Sequence, residues 1–185
     1  MTGKRLYVIT GPSGAGTAEI VEKVLADTDS VVTVTPLTAR KMKEGEVNGE
    51  GLIFYDLEEW NALKRSGDLL ECTEMMGNDY GTSRKLVLDE FEKGNNVIIQ
   101  TEPDRAAQIK RNMPEAVCIL VYPFDSGVLK TRYSEKAKSS FEVSVRTEVA
   151  LKQINSSKLF CDHEVDSGSP DKACEEIISI IDERL

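Results

Sequence analysis

An apolar run, Leu6–Thr10, breaks off at Gly11-Pro12-Ser13-Gly14-Ala15-Gly16-Thr17-Ala18, and helical spacing of Ile20, Val21, Val24 and Leu25 follows at once. A buried strand that turns through glycines into a helix is the opening of a parallel α/β sheet. The glycines have the spacing of the phosphate-binding pattern G-x-x-x-x-G-K-[ST]. In that pattern backbone N–H groups cradle phosphates, the lysine reaches the terminal ones and the hydroxyl serves Mg²⁺. Here Thr17 stands at the lysine position and Ala18 at the hydroxyl position. Gly11, Ser13, Gly14, Ala15, Gly16 and Thr17 remain candidates for anion binding, because the N–H groups at a helix N-terminus hold anions without any lysine. The plain alternative is a strand-to-helix turn that binds nothing.

Strands and helices go on alternating. Val31–Thr35 is β-branched and reads as a strand. Leu57–Ser66 reads as a helix with Leu57, Trp60 and Leu63 on one face. Leu69–Met75 reads as a strand, Gly77–Gly81 as a turn and Arg84–Lys93 as a helix stopped by Gly94. Val97–Gln100 and Ala116–Tyr122 are further strands, with a helix over Arg105–Asn112 between them. Helices over Ser126–Lys136 and Glu142–Asn155 flank a polar gap at 137–140. A short strand, His163–Val165, precedes a closing helix, Asp171–Leu185. The pattern predicts one domain over 1–185. Its core is 1–35 and 84–185, its insertion 36–83, and a lid-like stretch spans 130–146.

With 23 basic and 32 acidic residues the chain carries a net charge of −9, which disfavours a general nucleic-acid binder. No apolar run exceeds strand length, so no membrane partner is expected. Cys72, Cys118, Cys161 and Cys174 form no C-x-x-C pair, and no metal set is expected. Free thiols in a reducing cytoplasm are the default, with Cys118 in the core. His163, the one histidine, lies near no nucleophile pattern.

Four motifs in order carry a family resemblance. They are Ile9–Gly16, then Arg40-Lys41-Met42-Lys43-Glu44-Gly45-Glu46-Val47-Asn48-Gly49, then Gly67-Asp68-Leu69-Leu70-Glu71, then Gly77-Asn78-Asp79-Tyr80-Gly81-Thr82. At this spacing the chain resembles the guanylate kinases, which move a phosphoryl group from ATP to GMP. The resemblance weakens after Phe124. It implies an α/β, parallel-sheet nucleotide-kinase fold with an inserted GMP-binding subdomain and a lid. It also implies a GMP site. Arg40, Lys43 and Tyr80 match phosphate-clamping positions, Glu71 and Thr82 match guanine readers, and Glu102 matches an acid at the base. A carboxylate accepts from guanine N1–H and N2–H₂, a donor pair adenine lacks. The plain alternatives are solvated charge at Arg40 and Lys43, a polar strand residue at Glu71 and a packed turn residue at Tyr80.

The departures cluster on the ATP side. Gln100 stands where the family has the first acid of a strand-end D-x-D. Lys136-Ala137-Lys138-Ser139 replaces an arginine-rich lid, with Arg132 and Arg146 as the weak candidates for its catalytic cations. On the GMP side Lys43 replaces an arginine, Leu52 a tyrosine and Pro36 a serine. The resulting expectation is a protein that recognises a guanine nucleotide or another phosphate-bearing ligand, with transfer lost or strongly reduced. An active, divergent guanylate kinase is the second reading. A module that uses the cleft for a phosphorylated protein partner is the third. ATP and Mg²⁺ are cofactors only if transfer persists.

Overall fold

The computed structural model describes residues 3–183. Met1, Thr2, Arg184 and Leu185, including the end of the expected closing helix, lie outside the described residues. In chain order the elements begin β1 (Leu6–Thr10), α1 (Thr17–Asp27), β2 (Val31–Val32), β3 (Leu37–Thr38), β4 (Ile53–Phe54), α2 (Leu57–Ser66), β5 (Leu69–Met75) and β6 (Asn78–Ser83). They continue α3 (Arg84–Glu92), β7 (Asn96–Thr101), α4 (Pro103–Asn112), β8 (Val117–Tyr122), α5 (Ser126–Ser134), α6 (Ser140–Ser157), β9 (His163–Asp166) and α7 (Pro170–Asp182).

Two sheets result. The first has order β2-β7-β1-β8-β9, and every pairing in it is parallel. Its central strands β1 and β8 are buried on both faces because helices cover both, as all-parallel sheets require. Tyr7 and Ile9 of β1 pack with α1 and α7 around Ile20, Val24, Ile177 and Ile181. Leu6 and Val8, one residue out of phase, pack on the other face with Val87 of α3 and Ala106 and Ile109 of α4. A third cluster joins Leu120 and Tyr122 of β8 to α5 and α6 through Leu129, Tyr133, Ala150 and Ile154. Among the described residues no helix is long and apolar enough to cross a membrane.

The second sheet, β4-β3-β6-β5, lies wholly within 37–83. Its helix α2 is defined by local chemistry. Asp56 caps it, accepting from the Glu58 and Glu59 N–H groups, and Glu59 completes the capping box. Gly67, at φ 75°, ends it. Of the face expected on α2, Trp60 is buried but Leu57 is 70% exposed, because the helix rests on β5 and β6 through little more than the indole. Asn78–Gly81, expected as part of a turn, instead belongs to the strand Asn78–Ser83, paired on both sides, to β5 and to β3. The turn shrinks to Met76 and Gly77. β2 ends at Val32 rather than Thr35, since β7 pairs only with Val31 and Val32.

Gly11 is required by packing before any ligand is considered. A Cβ there would sit 2.1 Å from the Val121 carbonyl oxygen of β8. Gly11→Ala should therefore destabilise the chain by about 1–3 kcal/mol or more. Urea denaturation reads this as a lowered midpoint, and an unchanged midpoint would contradict the packing.

Candidate functional site

The glycine loop lies at the C-terminal end of β1, where open parallel sheets bind ligands. Gly14 and Gly16 take φ values of 80° and 85°, which side chains disfavour. Gly16 is also the N-cap of α1 and supplies no side-chain cap, so the first-turn N–H groups stay available to an anion. The loop is gripped from outside by α5. Arg132 donates to the Gly14 and Ala15 carbonyls at 2.9 and 3.1 Å and to the Ser167 carbonyl at 3.2 Å, while the Tyr133 hydroxyl donates to the Ser13 carbonyl. Arg132 thus holds the loop by its carbonyl oxygens. Arg146 pairs with Glu142 at 2.7 Å. With Lys136 these two arginines line a cavity of about 330 Å³ against the loop.

Thr17 and Gln100 touch. The Gln100 amide donates to the Thr17 hydroxyl at 3.3 Å. A neutral amide and a neutral hydroxyl occupy the two positions where the family resemblance implies a cation and a carboxylate. A hard divalent cation takes carboxylate, carbonyl and hydroxyl oxygens. With a methyl at Ala18 and an amide at Gln100, these residues do not fit a Mg²⁺ ion held by the loop.

Between the two sheets lies a cleft of about 430 Å³. The core contributes Thr33, Val34, Ile98, Ile99 and Gln100. The insertion contributes Pro36, Leu52, Met75, Tyr80 and Thr82, and Arg105 of α4 completes the lining. A larger cavity, about 1210 Å³, opens on the insertion alone around Arg40, Lys43 and Phe54. The smaller one is the candidate site, because it alone joins both sheets and reaches Gln100 beside the loop.

Arg40 is the best-held cation of the insertion. Its two Nη atoms donate to Glu46 at 2.7 and 2.5 Å, Nη1 also donates to the Lys41 carbonyl at 3.0 Å, and the guanidinium lies 5.0 Å from the Phe54 ring centre. That leaves the Nε–H and one Nη2–H, and Tyr80 hydrogen-bonds the same guanidinium. Glu46 foremost, and the Tyr80 hydroxyl to a smaller degree, push the Arg40 pKa above its ordinary value. Arg40 and Tyr80, predicted as phosphate ligands, are therefore together. Lys43 is exposed and meets this network through its backbone N–H, 2.6 Å from Glu46, with its charge a minor addition.

The two expected base readers are together too, but in a different state. Glu71 is 1% exposed, and the Thr82 hydroxyl donates to its Oε1 at 2.7 Å. Arg105 grips the same carboxylate, Nε to Oε2 at 2.7 Å and Nη2 to Oε1 at 2.8 Å. Burial works against the Arg105 charge, but the hydrogen bonds and charge of Glu71 outweigh it, and the pKa rises. Glu102 is exposed at the start of α4 and contributes its charge beside Arg105. Arg105 and Glu46 escaped the reading of the sequence. The signal for Arg105 was Glu71 itself, since a carboxylate on a buried strand needs a cation.

The Glu46 carboxyl is held by Arg40 first, and by the Lys43 N–H, down to about 2 from its ordinary 4.5. A depressed carboxylate stabilises the fold fully above its unfolded value and loses that contribution as pH falls toward the folded one. Carbon-detected NMR should place the Glu46 midpoint near 2, with the Arg40 pair intact at pH 4.5. A midpoint near 4.5 would contradict the pairing.

The guanylate kinase family model matches residues 3–184. The guanylate kinase of Prochlorococcus marinus (strain MIT 9312) is 30% identical over 179 residues, 96% of this chain and 97% of that one. The guanylate kinase of Thermus thermophilus (strain ATCC BAA-163) is 36% identical over 157 residues, 84% of this chain and 71% of that one. The crystal structure of guanylate kinase from Anaplasma phagocytophilum superposes with a TM-score of 0.68 over 99% of this chain and 87% of that one, at 22% identity, which speaks to the fold alone. A strand, glycine loop and helix joined to an insertion across a nucleotide-sized cleft, matched along nearly its whole length, place this chain in the guanylate kinase family.

Proposed function

We propose that this protein transfers a phosphoryl group from ATP to a purine nucleoside monophosphate, with GMP as the family's acceptor, and does so slowly. The observation that supports it is Arg40, fixed by Glu46 and Phe54 and hydrogen-bonded to Tyr80, the residue that carries this network to the cleft wall. A cation fixed before the ligand arrives loses little entropy on binding a phosphate. The apolar walls, Pro36, Leu52, Ile98 and Ile99, suit a base and ribose. The cleft runs from there toward Gln100, which touches Thr17 of the loop. The loop's backbone N–H groups and the start of α1 face the donor phosphates.

The reason for slowness is equally local. Phosphoryl transfer is largely positioning and stabilisation of charge on the transferred group. At the centre of that charge this chain offers a hydroxyl and an amide, and Arg132 is spent on loop carbonyls. Losing even one well-placed neutral donor costs a factor of roughly 10²–10³ in rate. The same neutral Thr17–Gln100 contact favours a second reading, recognition without transfer.

A coupled assay of ADP release separates them. The expected result is GMP-dependent turnover below about 1 s⁻¹, under the range of roughly 1–100 s⁻¹ usual for kinases. Thr17→Lys with Ala18→Ser should raise it by roughly 10²–10³-fold. No GMP-dependent turnover in either protein would leave recognition alone. Ordinary turnover in the unmodified chain would contradict the role given to Thr17 and Gln100.

A further inference from the structure

The Glu71 side chain has no exposed surface, and both its oxygens are engaged, Oε1 by Thr82 and Arg105, Oε2 by Arg105. A guanine whose N1–H and N2–H₂ were to reach this carboxylate would have to displace a bidentate, charge-assisted pair that is mostly buried. Thr82 spends its proton on Glu71, so only its lone pairs face the cleft. Arg105, in contrast, uses only its Nε/Nη2 side. The second Nη2–H and both Nη1–H groups remain, and they form the end-on fork of a residue that lines the cleft. The base end of the cleft therefore offers the Arg105 donors and one hydroxyl acceptor, Thr82, in place of the buried Glu71 carboxylate.

We propose that Arg105 is the specificity-determining residue of the cleft. It seals Glu71 from the base and reads an edge made of two acceptors, the O6/N7 edge of a 6-oxopurine. An arginine fork matches that edge in the plane of the base. Adenine presents an amino group at position 6 and is turned away. Hypoxanthine shares O6 and N7 with guanine and lacks only the 2-amino group, so the cleft accepts both alike. This rests on the reading of the cleft as a nucleoside monophosphate site, and it concerns which bases that site takes.

Calorimetric titration of the full chain with GMP, IMP and AMP tests it. The expected result is GMP and IMP affinities within about three-fold of each other, with AMP weaker by roughly ten-fold or more. Arg105→Ala should weaken IMP and, by uncovering Glu71, turn the ratio toward GMP by about ten-fold. If that variant fails to fold, Glu71→Gln replaces it, and there the GMP/IMP ratio should stay near that of the unmodified chain. GMP bound ten-fold or more tightly than IMP by the unmodified chain would overturn the inference while leaving the monophosphate site standing. AMP bound as well as GMP would likewise overturn it. Binding of none of the three would remove the monophosphate reading itself, and the inference with it.

Discussion

A carboxylate with no exposed surface has to be met by donors inside the protein, and that condition ties the two sheets of this molecule together. Glu71 belongs to β5 of the insertion and Arg105 to α4 of the core. Around their pair the same seam is stitched by the Cys72 N–H to Gln108 at 3.1 Å and by Asn112 to the Leu70 carbonyl at 2.9 Å. Removing one partner of such a buried pair typically costs about 3–5 kcal/mol, because the other is left charged and unpaired. The position of the insertion over the core, and so the shape of the cleft, follows from this seam.

The two ends of the proposed site differ. At the end proposed for the monophosphate a cation is pre-positioned, with Glu46 orienting Arg40 and Tyr80 beside it. At the loop end the glycines are present, and packing accounts for part of their presence. Gly11 is pinned by the Val121 carbonyl, and at Gly14 a Cβ would meet the Tyr133 ring at 2.9 Å. The loop's shape is thus no proof of its chemistry. The chemistry has to be judged from Thr17, Ala18 and Gln100, and those three supply no charge.

Much of the fold was legible because its rules are local. α2 is written in Asp56, Glu59 and Gly67, and β1 and β8 in apolar runs flanked by turn residues. β6 was misread because Gly77-Asn78-Asp79-Tyr80-Gly81 has the composition of a turn. Its pairing with β3 on one side and β5 on the other overrides that preference, and Gly81 is needed inside the strand because a Cβ would lie 2.7 Å from the Glu71 carbonyl. β3 and β4, two residues each, are too short to carry any period. Of the site, the phosphate-side residues could be placed by motif. The state of Glu71 could not, because its partner is 34 residues away and no local pattern links them.

The central claim is that recognition of the monophosphate outweighs recognition of the donor nucleotide. Equilibrium dialysis of labelled GMP and labelled ATP against the same protein tests it most directly. The account predicts GMP held with a dissociation constant below about 1 mM, near −4 kcal/mol, and ATP held more weakly. ATP retained while GMP passes freely would contradict it.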